Sequence, residues 1–324
     1  MTATELLSGL RPITVECIDT FAPFYAERAK HYVYPRYMQS VCALVDMGHV
    51  FYKIIRAAHG SVLVIFKRTK IFGKLGVQMP IPPISLSGSV SDEKEIMQAA
   101  LRVGISLRVT TEDISRYHIP QRLCSDGTGP LVPVNNEYIY NGRKGSEMRG
   151  SQYRKQRYQV KRITQSEGFS LSSGAHPQAD ALVADWDRRY KEKNGTQTDQ
   201  SHLWAVIKTA VARSQSSAVQ IRNIIIRDRL ECVSVLERLS EGQFVIVFRV
   251  RNYKSELNDV GSAIHWTDCS ESLRPTGETY LNMGLADTEG LIRSKESLNP
   301  CRHQKIYTVK TTKTNTTILN QYFK

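Results

Sequence analysis

The sequence predicts an α/β protein folded as two lobes, and three observations carry that expectation. The chain has 324 residues, more than the roughly 250–300 at which a single core stops growing. Its composition, 41% hydrophobic and 23% charged, is that of a globular chain with enough apolar side chains for a full core. Segments with strand character alternate with segments of helical spacing along its length.

The first strand is read at Ser61-Val-Leu-Val-Ile-Phe-Lys-Arg, a short β-branched and aromatic run ending in charge. Ile71 to Pro83 follows, with Gly73, Gly76, Pro80, Pro82 and Pro83 marking a strand that ends in a stiff extended loop. Ser91-Asp92-Glu93 opens a helix running to about Val103, with a serine or aspartate cap and acids in its first turn. Ile105 to Val109 returns as a strand. The turn-forming run Cys124-Ser-Asp-Gly-Thr-Gly-Pro, continued by Val132 to Asn136, places the junction between lobes spanning 1–130 and 131–324.

The second lobe opens on a basic stretch, Arg143 to Arg162, in which eight cations face only Glu147; it reads as a cationic helix. Asp180 to Lys193 and Leu203 to Ala212 have helical spacing. Ala218 to Ile226, Leu230 to Leu239 and Gln243 to Val250 are successive β-rich runs, with Glu241-Gly242 as a hairpin turn, and predict a meander. Lys305 to Lys324 reads as a last strand followed by a basic tail.

Composition narrows function by exclusion. Met1 to Leu10 lack the basic and apolar regions of a signal peptide, and no run of about 18 apolar residues occurs, which places the chain in the cytoplasm. The six cysteines form no C-x-x-C pair and the eight histidines no metal-ligand spacing, so no metal site is expected. G-x-S-x-G does not occur, and no hydrolase triad is argued. The net charge of +13 favours polyanionic partners: nucleic acid, with tRNA or DNA as candidates, or the surface of an anionic membrane. The plainer reading is a basic protein kept soluble by its charge.

Tyr280-Leu-Asn-Met-Gly-Leu-Ala-Asp-Thr-Glu-Gly-Leu-Ile-Arg-Ser-Lys-Glu-Ser-Leu-Asn-Pro300 resembles the closing motif of the C-terminal domain of phosphatidylglycerol lysyltransferases and their soluble two-lobed relatives. Asn282, Gly284, Asp287, Gly290, Leu291, Lys295 and Pro300 follow the order of that motif. Upstream, Tyr138-Ile-Tyr followed by Tyr153-Arg-Lys-Gln-Arg-Tyr-Gln-Val-Lys-Arg looks like the family's basic helix, and Trp186 and Tyr190 sit where its next helix lies. The first lobe, from Phe21 to Asp113-Ile-Ser, is similar in its order of elements only. The resemblance implies two GNAT-like lobes, each a central mixed β-sheet flanked by helices. The second lobe would carry an aminoacyltransferase activity that moves an amino acid from its tRNA ester to an amine or hydroxyl.

The chain departs from acetyl-CoA-dependent relatives in lacking a Q/R-x-x-G-x-G/A loop; Arg102-Val-Gly-Ile-Ser is a poor match. Acetyl-CoA is therefore disfavoured as donor, aminoacyl-tRNA is the expected donor substrate, and no tightly bound cofactor is expected. The chain also lacks a membrane domain, which leaves the acceptor open. Two alternatives stay beside this reading: an acyl or aminoacyl transferase that modifies a nucleobase in DNA or RNA, and a non-catalytic nucleic-acid-binding protein on the same scaffold.

Acyl transfer needs a polarised carbonyl, a stabilised oxyanion and a proton acceptor. Lys295 and Arg293, taken to lie near a helix N-terminus, are candidates for holding donor phosphate or the developing charge; a solvated helix face is the alternative. Asp287, with Glu289 beside it, is a candidate for orienting or deprotonating an amine, against a capping role. Asn282 and Gly284 can present an amide and bare backbone to substrate, or form an ordinary turn. Tyr153, Arg154, Lys155, Arg157 and Lys161 are candidate polyanion contacts, with Arg249, Arg251, Tyr253 and Lys254 extending the same surface.

Overall fold

The computed structural model describes residues 1–71, 74–119, 131–195, 199–213, 217–253, 257, 259–274, 277–286 and 288–309. In chain order the strands begin with β1 (Arg11–Pro12), β2 (Val50–Ala57), β3 (Gly60–Ile71), β4 (Lys74–Met79), β5 (Ile84–Ser85) and β6 (Ser106–Thr110). They continue as β7 (Leu131–Asn141), β8 (Phe169–Ser173), β9 (Val219–Ile226), β10 (Arg229–Ser240), β11 (Gln243–Arg251), β12 (Tyr280–Asn282) and β13 (Arg302–Val309). The helices are α1 (Ala3–Leu7), α2 (Cys17–Ala29), α3 (Val41–Asp46), α4 (Val90–Arg102), α5 (Thr111–Tyr117) and α6 (Gly142–Glu147). After them come α7 (Arg154–Thr164), α8 (Ala179–Asn194), α9 (Gln200–Arg213), α10 (Val260–Glu271) and α11 (Glu289–Glu296).

The fold is the expected mixed α/β, with sheets flanked by helices. Two compact units divide it: Met1–Val33, Met47–Glu137 and Gln304–Lys324 form the first, and Tyr34–Asp46 with Tyr138–His303 the second. Against the expected division at 130, the boundary moves to Glu137 and two further segments change sides. The end of β13 belongs to the first unit because Ile306 to Val309 pair with Thr110 to Leu107 of β6. Tyr34–Asp46 belongs to the second because Glu237 on β10 holds α3 there.

In the first unit β1, β2, β3 and β4 form an antiparallel series, β4 runs parallel to β6, and β5 adds to β3. The α4 helix begins one cap earlier than read from sequence: the Ser89 hydroxyl accepts from the Asp92 amide at 3.3 Å. Arg28 and Asp113 make a buried ion pair at 2.9 Å, and Glu93 accepts from the Tyr117 hydroxyl at 3.0 Å and the Ser85 amide at 2.9 Å. Buried charge of this kind fixes geometry more than it adds stability.

The second unit has strand order β7-β12-β11-β10-β9-β8, antiparallel except where β11 and β12 run parallel. The predicted meander is its centre, from β9 through β11. Adjacent residues of a strand point to opposite faces. Phe248 stacks on Trp204 of α9 at 5.6 Å, while Arg249 pairs with Asp268 of α10. The sheet is thus covered by α9 on one face and α10 on the other.

Two local expectations are corrected. Val132 to Asn136, read as part of a turn-rich junction, lies within β7, because a strand is decided by its neighbours as much as by its own composition; residues 124–130 lie outside the described residues. The basic stretch is not one helix: α6 ends at Met148 in the left-handed region, Gly150 has φ +92°, and a 3₁₀ turn at Ser151–Tyr153 precedes α7. The tail beyond Val309 lies outside the described residues.

Candidate functional site

The parallel neighbours β11 and β12 pair over only three positions, Gln243 with Tyr280, Phe244 with Leu281 and Val245 with Asn282. Beyond them β11 continues to Arg251 while the chain after Asn282 turns away. Parting strands release backbone groups that must find other partners. The carbonyl of Val247, two residues past the last pair, accepts from the Tyr37 hydroxyl at 3.4 Å.

The segment carrying Tyr37 is bound to this opening at three points. Asn282, wholly buried, donates from Nδ2 to the Pro35 carbonyl at 2.8 Å and accepts the Gly284 amide on Oδ1 at 2.6 Å. Gly284 has φ +69°, and a Cβ there would stand 2.7 Å from Cδ2 of Tyr37. On β10 the buried Glu237 accepts from the Ser40 hydroxyl at 2.7 Å and the amides of Val41 at 2.8 Å and Cys42 at 3.1 Å, at the start of α3. Burial pushes the Glu237 carboxyl above its ordinary pKa despite these donors.

A charge cluster lies on the α10 side. Asp268 is fully buried and accepts from Arg249 Nη2 at 2.6 Å, Ser234 Oγ at 2.7 Å and, more loosely, Arg222 Nη1 at 3.4 Å. Arg222 also donates to the Asp268 carbonyl at 2.9 Å and pairs with Glu271 at 2.9 Å. The remaining guanidinium nitrogen of Arg249, Nη1, faces Met283 Sδ at 3.8 Å, a weak acceptor. Arg249 therefore spans from β11 to the first residue after β12.

Lys295 is also inward. It is 4% exposed, and its ammonium donates to the carbonyls of Met283 at 2.6 Å and Leu285 at 2.5 Å, with Nζ 5.5 Å from the centre of the Tyr138 ring. Two expectations change with this placement. Lys295 lies in the last turn of α11, so the positive end of the helix dipole is not beside it. Its direct partners are the turn that follows β12. The N-terminus of α11 is capped by Thr288, whose hydroxyl accepts the Leu291 amide at 3.3 Å, and not by a carboxylate.

The other candidates separate into those that face solvent and those used internally. Arg293 is exposed and pairs with Glu289 one turn earlier at 3.0 Å; Asp287 and Lys254 lie outside the described residues. Tyr153 is buried, so it packs and cannot stack on a ligand. Arg157 donates to the carbonyls of Met148 and Gly150, the second at 2.8 Å, and so holds the turn before α7. Arg154, Lys155 and Lys161 point outward on α7, around an exposed Tyr158. Arg249, expected on an extension of that surface, is drawn into the Asp268 cluster instead. Tyr253 is 37% exposed just after β11 and stacks on Trp186 of α8 at 6.3 Å, not beside the cations of α7.

One pair invites a nucleophile reading and does not support it. Cys269 Sγ and His265 Nε2 are 3.7 Å apart, one turn apart on α10, and both buried. Burial holds the thiol well above its ordinary pKa and the imidazole well below its own. Thiol and imidazole are then both neutral, the opposite of an activated pair.

Sequence reasoning missed Asp268, Arg222, Glu237 and Tyr37. Glu231, Ser234 and Glu237 left a faint signal, as buried polar residues in a strand that is mostly apolar on both faces. Asp268 and Tyr37 left none, since their partners are distant in the chain.

No family model matches the chain, and no curated protein does. Solved structures do match along nearly its whole length. A conserved protein of unknown function from Bacteroides thetaiotaomicron superposes with TM-score 0.71 at 12% identity, over 94% of this chain and 99% of that one. L-PGS from Bacillus licheniformis gives 0.59 at 14%, over 97% and 98%. The tandem GNAT protein of the clavulanic acid biosynthesis pathway gives 0.50 at 9%, over 93% and 98%. The chain has a GNAT-like fold, and the resemblance read from the closing motif holds at the level of fold. Among the described residues no helix is long and apolar enough to cross a membrane.

Proposed function

We propose that the protein transfers an aminoacyl group from aminoacyl-tRNA to an amine or hydroxyl, at the opening between β11 and β12. The observation that carries this reading is the parting of the two strands after Val245 and Asn282, with Arg249 Nη1 facing Met283 across it. The acceptor attacks the ester carbonyl, the carbon–oxygen bond to the ribose breaks, and the ribose oxygen takes the proton that the acceptor gives up. Arg249 is the cation for the oxyanion, because among the described residues its Nη1 meets only a thioether and Asp268 fixes its plane. Lys295 acts through the Met283–Leu285 turn, whose carbonyls it holds, and is a positioning residue.

Two features weigh against acetyl-CoA as donor. Tyr37 fills the gap at Val247 and Gly284 that a long thin acyl carrier would thread. The N-cap residue of α10 is Asp259, whose carboxylate puts negative charge beside a natural anion site while turning to Arg162 at 2.5 Å and Gln159 at 2.8 Å rather than to the helix amides. The outward cations of α7 and the net charge of +13 suit an RNA donor.

The test supplies radiolabelled amino acids on a mixed pool of charged tRNAs and follows label into peptide, lipid and DNA acceptors. Transfer to one acceptor class supports the reading. Absence of transfer from every charged tRNA, by protein that is folded and binds RNA, sinks it.

A further inference from the structure

A cavity of about 540 Å³ opens where the β9–β10 hairpin meets the end of α7, and the proposed chemistry does not use it. Glu167, Ile226, Arg227, Arg229, Glu231 and Leu257 are among the residues that line it. Glu231 is the deepest of these charges, 1% exposed. Its Oε1 accepts from Arg229 Nε at 2.5 Å, whereas Oε2 is buried without a hydrogen-bond partner. The strand places this carboxylate by a β-bulge: Leu230 pairs with Ile225 of β9 and Cys232 with Ile224, so Glu231 is the extra residue. Bulges of this kind re-aim a side chain.

The rim of the cavity is fastened as well. The hairpin turns at Arg227 and Asp228, both left-handed with φ +50° and +58°, in a two-residue turn where glycine or asparagine is the ordinary choice. The Arg227 amide donates to the Gly168 carbonyl at 3.2 Å, and a Cβ on Gly168 would stand 2.9 Å from that nitrogen. On the other side Gln178 donates to the Asp228 carbonyl at 3.1 Å and accepts the Leu230 amide at 2.7 Å. Side chains held in such conformations by over-determined surroundings cluster at ligand clamps.

The lining defines its own complement. Arg229 gives one nitrogen to Glu231 and Arg227 one to Glu167, the second at 3.1 Å, and a guanidinium has further N–H groups for an anion. The cavity therefore calls for a donor at Glu231 Oε2 and an acceptor at the two arginines. Its charged lining is two cations and two anions, so a phosphate ester finds no excess of positive charge, and a bare cation leaves the arginines unmet. Among the described residues no group of three His, Cys, Asp or Glu suits a metal ion. A molecule with separated charges and no net charge meets both needs. Ile226 and Leu257 add an apolar wall, and the volume is that of small-molecule sites.

We infer that this pocket binds a small zwitterion, an α-amino acid or short peptide, with its ammonium on Glu231 and its carboxylate on Arg227 and Arg229. The inference stands apart from the transferase reading, since none of its residues serves the opening between β11 and β12.

The experiment is calorimetric titration with the dipeptide alanyl-leucine, with its N-acetyl derivative, which lacks the ammonium, and with its C-terminal amide, which lacks the carboxylate. Wild-type protein is expected to bind the dipeptide at least roughly tenfold more tightly than either derivative, the worth of one charged hydrogen bond. Glu231→Gln should weaken the dipeptide by at least about tenfold and leave the N-acetyl derivative unchanged. Arg227→Gln, at an exposed side chain that does not threaten folding, should weaken the dipeptide and leave the amide unchanged.

Equal affinity for the dipeptide and both derivatives overturns the inference, as does absence of binding to wild type. Adenosine monophosphate bound tenfold more tightly than the dipeptide overturns the choice of a zwitterion. Dipeptide affinity that falls in Arg249→Lys but not in Arg227→Gln puts the ligand in the opening instead and overturns the pocket.

Discussion

The Lys295 ammonium donates to the Met283 carbonyl at 2.6 Å, and with the Leu285 carbonyl it ties the end of α11 to the turn after β12. The residue that the closing motif singled out is thus a fastener of the opening's rim. Arg249 meets the same Met283 from the opposite strand through its sulphur, so one residue is held from both sides.

Lys295→Met should therefore cost stability as well as activity. Removing the ammonium leaves two inward carbonyls without this donor, at about 1–3 kcal/mol, read as a lower midpoint in urea unfolding. A midpoint equal to wild type alongside lost activity would instead assign Lys295 to direct contact with substrate.

Asp268→Asn should be among the most damaging single changes in the second unit. It strips the counter-charge from Arg249 and Arg222, and breaking a buried ion pair costs about 3–5 kcal/mol. Ser234→Ala, which removes one neutral donor to the same carboxylate, should cost only about 0.5–1.5 kcal/mol. Urea midpoints of the two variants check the order.

Gly284→Ala meets both a left-handed backbone and the Tyr37 ring at 2.7 Å, a combination costing about 1–3 kcal/mol. In the double variant with Tyr37→Ala the steric part is relieved, so the two changes should be non-additive. Simple additivity in a double-mutant cycle would mean that the ring is not against Gly284.

His265 sets a pH dependence. Burial, with the nearby charge of Arg249 as a lesser cause, holds its folded pKa well below the ordinary 6.5. The unfolded chain takes up this proton first, so stability is fully present above pH 6.5. It falls by up to about 1.4 kcal/mol per pH unit below that, until the folded pKa is reached. His265→Gln should flatten the stability profile between pH 6.5 and 5; an unchanged slope would place the wild-type loss elsewhere.

Legibility followed the range of the interactions. The β9–β11 meander, α4, α8 and α9 were readable because their apolar period and turn residues are local. α10 escaped notice because its buried face includes His265, Thr267 and Asp268, which read as polar until their partners are known. Asn282, Gly284 and Lys295 were found through the motif, yet their contacts were not. A lysine in a short helix looks solvated from sequence, and only the turn after β12 shows which carbonyls it serves. Arg249 was assigned to a surface because nothing near it in the chain announces Asp268, 19 residues on. Tyr253 was named for its charge-rich neighbourhood, and its alignment with Trp186 came from the fold.

The most direct measurement sets the two donors against each other: initial rates of transfer to a primary-amine acceptor from a pool of charged tRNAs and from acetyl-CoA, with Arg249→Lys alongside wild type. The account predicts transfer from charged tRNA, suppressed in Arg249→Lys because a lysine cannot span Asp268 and the opening together. Acetyl transfer from acetyl-CoA, with none from charged tRNA and no dependence on Arg249, would contradict it.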